Sequence, residues 1–322
     1  MSSRFRLVVG YGAIACAVPY LALKIVWLAG GTLGVADRAM MSDPSMFVLN
    51  LVTAGMDVIA IALALAFTHA WGQRIPAWLV LPPVWVATGL LVKFVWAVPI
   101  MTIAGMLMRR SLPEPGGPVR PWVYALVYTE FVGMGIGLAL AFVGYARVRW
   151  SRVFDSRADA ARHYTQRVQV PLANSASLMA VAAGALHLAW AFGATWGIPG
   201  EIATGRTFAS TVVNFADGAT MIGGAIGVVL LVHRPRRPPP LWLPLALAWI
   251  GSGFLFAWGL WGLANVLGDT ALVRNRPGSL ALINLLGLIQ LLAGLILGLV
   301  TLLVLAERDA AVQETTPRLE RL

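Results

Sequence analysis

Eight stretches of the chain are each long and apolar enough to cross a lipid bilayer, at roughly 8–30, 47–71, 78–108, 121–147, 172–197, 208–232, 241–267 and 279–306. A helix rising 1.5 Å per residue needs about 20 apolar residues to traverse the hydrocarbon core. Lipid offers no hydrogen bonds, so every backbone N–H and C=O in such a run must be satisfied within the run, and the α-helix does that. The expected fold is therefore all-α and integral to the membrane, with eight transmembrane helices. Charged residues make up only 12% of the chain, about half the soluble average. The third run is the longest, and Pro82-Pro83 or Pro99 predicts a tilt or a kink there.

The basic excess of 24 Lys and Arg over 14 Asp and Glu lies between the apolar runs, not along a face that could follow a nucleic-acid backbone. It reads as a topology signal. With the N-terminus in the cytoplasm, fifteen arginines fall on the cytoplasmic side (Arg4, Arg6, Arg74, the six from Arg147 to Arg167, Arg234, Arg236, Arg237, Arg308, Arg318 and Arg321) and seven on the other. The positive-inside rule then predicts both termini inside. Arg greatly outnumbers Lys, only Lys24 and Lys93 being lysines, and Ala, Gly, Leu and Val abound. This usage suggests a GC-rich bacterial source and hence the bacterial cytoplasmic (inner) membrane. Arg4 and Arg6 before an apolar run imitate a signal peptide, but the run continues to about Gly30, which predicts an uncleaved first helix. The single Cys16 excludes an internal disulfide and a cysteine-rich metal site.

The two halves of the chain read alike. At an offset near 163, Lys24-Ile-Val-Trp27-Leu-Ala-Gly30 falls on His187-Leu-Ala-Trp190-Ala-Phe-Gly193, and Gly34 falls on Gly197. Gly55 then meets Gly218, the Trp78 and Trp85 pair meets Trp242 and Trp249 after a one-residue shift, Gly89 meets Gly253, and Glu130 meets Gln290 at an offset of 160. The expected plan is two parallel four-helix repeats, 1–147 and 172–307, joined by a basic linker, 148–171, and followed by a tail, 308–322. Units with an even number of spans share one orientation and are related by an axis along the membrane normal, as in parallel-repeat transporters. The linker carries five arginines with Val153, Phe154 and Tyr164 among them. Two readings stay open for it, an amphipathic helix on anionic headgroups and a solvated topology-setting loop.

A charge in the hydrocarbon costs about 2.5–3.5 kcal/mol even on lenient scales, so each one is a functional candidate. Asp57, Glu130 and Asp217 each lie nine or ten residues from the outer ends of their runs, within roughly 12–15 Å of the outer boundary. His187 and Gln290 reach the same layer, Lys24 lies slightly above it, and Tyr20, Lys24 and Trp27 share one stripe. Asn214 precedes Asp217 by three residues and Thr53 precedes Asp57 by four, spacings that allow hydrogen bonds along one helix face. One reading is a proton-handling or ligand-binding centre, in which a desolvated carboxyl stays protonated and donates. The other is charge neutralisation, Lys24 pairing with Asp57 or Glu130 and His187 with Asp217. Lys93, halfway along the longest run, reads as a structural or snorkelling lysine.

Thirteen tryptophans are many for this length. Trp71, Trp78, Trp122, Trp150 and Trp242 lie at span ends, where an interfacial belt accounts for them. Trp85, Trp96, Trp190, Trp249, Trp258 and Trp261 lie deeper, and Phe254, Trp258 and Trp261 follow the spacing of one helical face. Their rings could stabilise a cation by about 0.5–2 kcal/mol each when desolvated; the alternative is packing of Trp against the interleaved glycines. No Walker A loop, dinucleotide fingerprint, His-Glu-x-x-His motif or nucleophile elbow occurs. Nor does an Asp-rich site suited to Mg²⁺ and diphosphate, which argues against an ionisation-dependent prenyltransferase.

The stretch from His187 to Gly193 followed by Trp196-Gly197-Ile198-Pro199 resembles the opening of a family of uncharacterised four-helix membrane proteins of actinobacteria, here in duplicated form. That family has no known activity to carry over, and the first half departs from it at Lys24. In its intramembrane acids and aromatics the chain also resembles bacterial integral-membrane terpene cyclases of the drimane and meroterpenoid type. That resemblance implies a metal-independent, proton-initiated cyclase without cofactors, acting on a prenylated hydrophobic substrate in terpenoid biosynthesis. Asp57, Glu130 or Asp217 would donate the proton. Tyr20, Lys24, Trp27, Trp85, Trp96, His187, Trp190, Asn214, Trp249, Phe254, Trp258, Trp261 and Gln290 would line the substrate site. The competing expectation is a proton-coupled small transporter or lipid-binding protein, and a third is an accessory membrane subunit.

Overall fold

The computed structural model describes residues 3–108, 118–151, 165–233, 239–274 and 281–319. Among the described residues there are eight long helices: α1 (Ser3–Leu28), α2 (Pro44–Thr68), α3 (Ala77–Met108), α4 (Pro121–Arg149), α5 (Gln166–Ala191), α6 (Phe208–His233), α7 (Trp242–Leu267) and α8 (Ala281–Leu319). Each contains a segment long and apolar enough to cross a membrane. Large apolar side chains such as Val48, Leu51, Leu107, Leu178 and Leu299 cover the outside of the bundle, where lipid, not water, can receive them. The protein is a multi-pass membrane protein in contact with membrane lipid.

Local sequence chemistry sets the helix ends. Asp43 caps α2 by accepting from the Ser45 amide, and Pro44 takes the first turn, where a missing N–H costs nothing. Pro121 does the same for α4. α1 and α5 each stop just before a glycine of positive φ, Gly30 at 86° and Gly193 at 109°, a conformation that side chains oppose. Beyond each stop a tryptophan from the last helical turn reaches over the loop. Trp27 Nε1 donates to Leu33 O at 2.8 Å, and Trp190 Nε1 donates to Trp196 O at 3.0 Å.

Several expected boundaries move. α5 begins at Gln166, inside the segment expected as linker, and ends at Ala191, short of the expected residue 197 because the chain turns at Gly193. α8 runs on to Leu319 through the expected tail. The linker's residues 152–164 lie outside the described residues, and so does the question of an amphipathic helix there. α3 remains one helix of 32 residues across Pro82, Pro83 and Pro99.

Helices α5 to α8 close into a ring, each packed on the next and α8 on α5. Small residues bring their axes together: a Cβ at Gly224 would lie 2.6 Å from Gly251 Cα, and one at Gly294 would lie 2.2 Å from the Phe256 amide nitrogen. Such close approach is how membrane helices gain dispersion energy where lipid removes the hydrophobic drive. Helices α1 to α4 pack less evenly. α1 holds α2 and α4, and α4 holds α3, but α2 and α3 meet only sparsely, leaving a cleft between them.

The two sets of helices join through α3. It lies against α7, where a Cβ at Gly89 would fall 2.1 Å from Gly253 O, and it also touches α6. Trp85 fills the seam, stacked on Phe256 with centroids 4.9 Å apart and donating to Ser252 Oγ at 3.1 Å. At the end of the bundle bearing the α1–α2 and α7–α8 loops, Arg274 pairs with Asp43 and the Ala271 amide donates to Ser45 Oγ at 2.9 Å.

Candidate functional site

The cleft between α2 and α3 leads into a cavity of about 600 Å³, within the range that holds a small ligand. Its walls are almost wholly apolar. α3 contributes Pro82, Pro83, Leu90 and Phe94, α2 contributes Met56, Ile59 and Ala60, α4 contributes Phe131 and Met134, and α7 contributes Trp258 and Trp261. Met56 and Ile59 are also exposed on the outer surface, so the cavity's rim and the lipid-facing surface share residues.

One polar cluster borders it. Lys24 Nζ donates to Asp57 Oδ2 at 2.7 Å, and the lysine is buried, at 1% exposure. Its ammonium lies 4.3 Å from the Tyr20 ring centroid, adding a cation–π contact. Glu130, at 2% exposure, lines the same cavity beside both. A triad of one ammonium and two carboxyls is neutral when it holds one proton, the state a low-dielectric setting favours. Glu130 Oε2 is buried with no hydrogen-bond partner, and so is the indole Nε1 of Trp258.

A second cluster lies between the helix sets. Lys93 Nζ is 3.1 Å from Asp217 Oδ2, joining α3 to α6. The same ammonium sits 3.6 Å from the Trp258 ring centroid and 5.8 Å from that of Phe254. Close by, His187 Nδ1 donates to Asn214 Oδ1 at 3.1 Å, and Gln290 Nε2 donates to His187 Nε2 at 3.3 Å. These bonds suit a neutral imidazole protonated on Nδ1.

The structure therefore divides the sequence candidates. Tyr20, Lys24, Asp57, Glu130, Trp258 and Trp261 come together at the cavity. Asp217, His187, Asn214 and Gln290 form the separate cluster, with Phe254 packed nearby. Trp27 and Trp190 are committed to loop carbonyls and Trp85 to the seam. Trp249 stacks on Phe142 with centroids 5.6 Å apart. Trp96, 57% exposed, faces outward.

Three sequence expectations change. His187 bonds Asn214 and Gln290, while Asp217 takes Lys93, whose ion pair fits the structural one of its two expected roles. Thr53 donates to its own helix at Leu49 O, not to Asp57. Asn214 donates to Ser210 O and receives His187, leaving Asp217 to its lysine. Phe94 and Phe131, whose rings lie 4.6 Å apart at the cavity wall, escaped sequence reading. Their adjacency in sequence to Lys93 and Glu130 was the available signal.

Outside the membrane, the Asp43 carboxyl is held below its ordinary pKa by the hydroxyl and amide of Ser45 and, more weakly, by Arg274. Among the described residues no group of three or more His, Cys, Asp and Glu side chains is arranged to hold a metal ion. Compared with protein-family models, with curated proteins and with solved structures, the chain matches none.

Proposed function

We propose that this protein is a membrane-embedded, proton-initiated cyclase that takes a prenyl-type substrate into the α2–α3 cavity, with Glu130 as the acid. The observation that carries this reading is a buried carboxyl with an unpartnered oxygen beside an aromatic-walled apolar cavity. Asp57 is engaged by Lys24 at 2.7 Å and Asp217 stands outside the cavity lining, so Glu130 is the candidate among the three acids. In the reaction, Glu130 transfers its proton to a substrate double bond. The resulting carbocation is attacked by a second double bond of the same molecule, forming a C–C bond. The final cation loses a proton to the Glu130 carboxylate, so the net change is an isomerisation. Lys24 steadies the carboxylate while it lacks the proton. Phe94, Phe131, Tyr20 and Trp261 supply ring faces for the cation. Trp258 supplies less, since Lys93 already occupies one of its faces.

The same reading takes α1–α4 and α5–α8 as parallel copies related by an axis along the membrane normal, the second copy bearing the resemblance to the four-helix family. It is supported by paired features 163 residues apart: the Trp27 and Trp190 loop bonds, and positive φ at Gly30 and Gly34 as at Gly193 and Gly197. The arginine distribution supports termini in the cytoplasm of a bacterial inner-membrane protein.

The test is product formation in a host that makes prenyl alcohols and prenylated arenes. Wild type yields a cyclised isomer of one of these lipids, and Glu130→Gln, nearly isosteric, yields none while accumulating in the membrane normally. Full turnover by Glu130→Gln refutes the assignment. A second reading, a proton-coupled carrier, draws on the Lys93–Asp217 pair across the two helix sets, where rocking would make and break it. Proton-dependent uptake of an unchanged solute into proteoliposomes would favour the carrier.

A further inference from the structure

The cavity has a direction and a mouth as well as walls. On α3 it is lined by Pro83, Ala87, Leu90 and Phe94, a spacing of four, three and four residues that stacks them along one helix face. Pro83 to Phe94 spans eleven residues, about 17 Å at 1.5 Å per residue. That is close to one leaflet, half of a hydrocarbon core about 30 Å thick. The space is therefore a groove running along the bundle, long enough for one extended chain. Pro82 and Ile59 also line it and are exposed on the outer surface. Pro82 lies five residues from the end of α3 at Ala77 and Ile59 nine from the end of α2 at Thr68, about 8 and 14 Å respectively. The mouth thus opens at the depth of the leaflet on the side of the α2–α3 connection.

Lys24, Asp57 and Glu130 border the groove but are all buried, with at most 8% of their surface exposed, so what a ligand meets is hydrocarbon and ring. Water needs several polar partners to settle in such a space. An acyl chain needs only dispersion contacts, and acyl chains are what surround an apolar rim in a bilayer. Below the mouth the character of the protein changes. The α2–α3 connection carries the short 3-10 helix Ala70–Arg74, and Arg74 is exposed, with no hydrogen bond or ion pair among the described residues. Trp71 and Trp78, on either side of it in sequence, are exposed too, and tryptophan settles at headgroup depth. The anion found at that depth is lipid phosphate, which the forked guanidinium fits.

We propose that the groove is a phospholipid site, holding one acyl chain of a lipid from the leaflet beside the α2–α3 connection while the lipid phosphate rests on Arg74. On the orientation given above, that leaflet is the cytoplasmic one. The site goes beyond the cyclase reading and does not depend on it. Since the acyl chain and a substrate would fill the same groove, each excludes the other, and a substrate enters by displacing the resident chain.

Native mass spectrometry of the full chain, stripped of lipid in detergent and offered one probe at a time, tests it. The probes are palmitoyl lysophosphatidylglycerol, its hexanoyl analogue, and monopalmitoylglycerol, which has the chain without the phosphate. One palmitoyl lysophosphatidylglycerol should be retained per protein, about fivefold over monopalmitoylglycerol, the effect of one basic residue on an anionic lipid. It should exceed the hexanoyl analogue by more than that, because each methylene adds to the buried apolar surface. Arg74→Gln should bring the palmitoyl phospholipid down to the level of monopalmitoylglycerol, and Ala87→Phe, which sets a ring in the groove, should lower retention of both palmitoyl probes. If Ala87→Phe does not fold, the chain-length comparison in the unaltered protein decides the point. The site is refuted if hexanoyl and palmitoyl probes are retained alike, if Arg74→Gln changes nothing, if folded Ala87→Phe binds like wild type, or if no probe is retained. Lipid retention without any cyclised product would leave this site standing and overturn the enzyme reading alone; a cyclised product without lipid retention would do the reverse.

Discussion

Lys93 on α3 and Asp217 on α6 form an ion pair with Nζ and Oδ2 3.1 Å apart, and the lysine that makes it also lies over the Trp258 ring. The pair fixes where α3 rests on the α5–α8 ring and thereby where one wall of the cavity stands. Removing either partner alone strands a charge in a poorly solvated place, at a cost of about 3 kcal/mol. Asp217→Asn and Lys93→Met should each lower the unfolding midpoint in detergent, and the double variant should recover much of the loss. Equal losses that simply add would show that the two side chains do not stabilise each other.

Asp57 should behave differently from Glu130. Asp57→Asn leaves Lys24 without its 2.7 Å partner, so both stability and activity should fall. Asp57→Asn combined with Lys24→Met should restore folding but not turnover. Thermal unfolding and product yield, measured together, separate the two effects. Glu130→Gln should alter yield alone.

Glycine positions give a graded test of packing. A Cβ at Gly89 would meet the Gly253 carbonyl at 2.1 Å, backbone that no rotamer change can move aside. Gly89→Ala should therefore push α3 from α7 and reduce the folded yield. At Gly55 an added Cβ would meet nothing within 4 Å, so Gly55→Ala should be neutral or stabilise by up to about 1 kcal/mol through helix propensity. Size-exclusion profiles and unfolding midpoints of the two variants provide the comparison.

The cap at Asp43 is a pH-sensitive element outside the membrane. Its carboxyl is depressed in the folded protein by Ser45 and Arg274, so its contribution is fully present above the ordinary carboxylate value of 3.8 and is lost as pH falls through the lower, folded value. Amide protection factors at the start of α2, corrected for the intrinsic exchange rate, should fall below about pH 4. Asp43→Asn, whose amide oxygen still caps the helix but does not titrate, should keep its protection with no such step. An unchanged step in that variant would mean another group is responsible.

The eight helices were legible because a bilayer admits so few solutions that apolar length nearly dictates them. Their ends were less so: α5 stops where Gly193 takes a positive φ and α8 extends through charged residues to Leu319, and hydropathy is blind to both. Individual polar residues stood out because each is costly in lipid. Their pairing did not, since Lys93 and His187 choose partners by how α3 lies against α6 and α8, a fact of three dimensions. The cavity was hidden for a related reason. α6 and α7 close through Gly224 and Gly251, while α2 and α3 lack such a contact and part; glycine content alone does not separate those cases.

The two lysines also impose an order on biogenesis. Lys24 leaves the ribosome 33 residues ahead of Asp57, so α1 enters the bilayer with an unneutralised charge unless it waits and inserts with α2 as a hairpin. Lys93 must wait longer, 217 − 93 = 124 residues, for Asp217, which is roughly 6–25 s of synthesis at about 5–20 residues per second. Throughout that interval α3 has no counter-charge from α6, and it can take its final seat only after the sixth helix arrives.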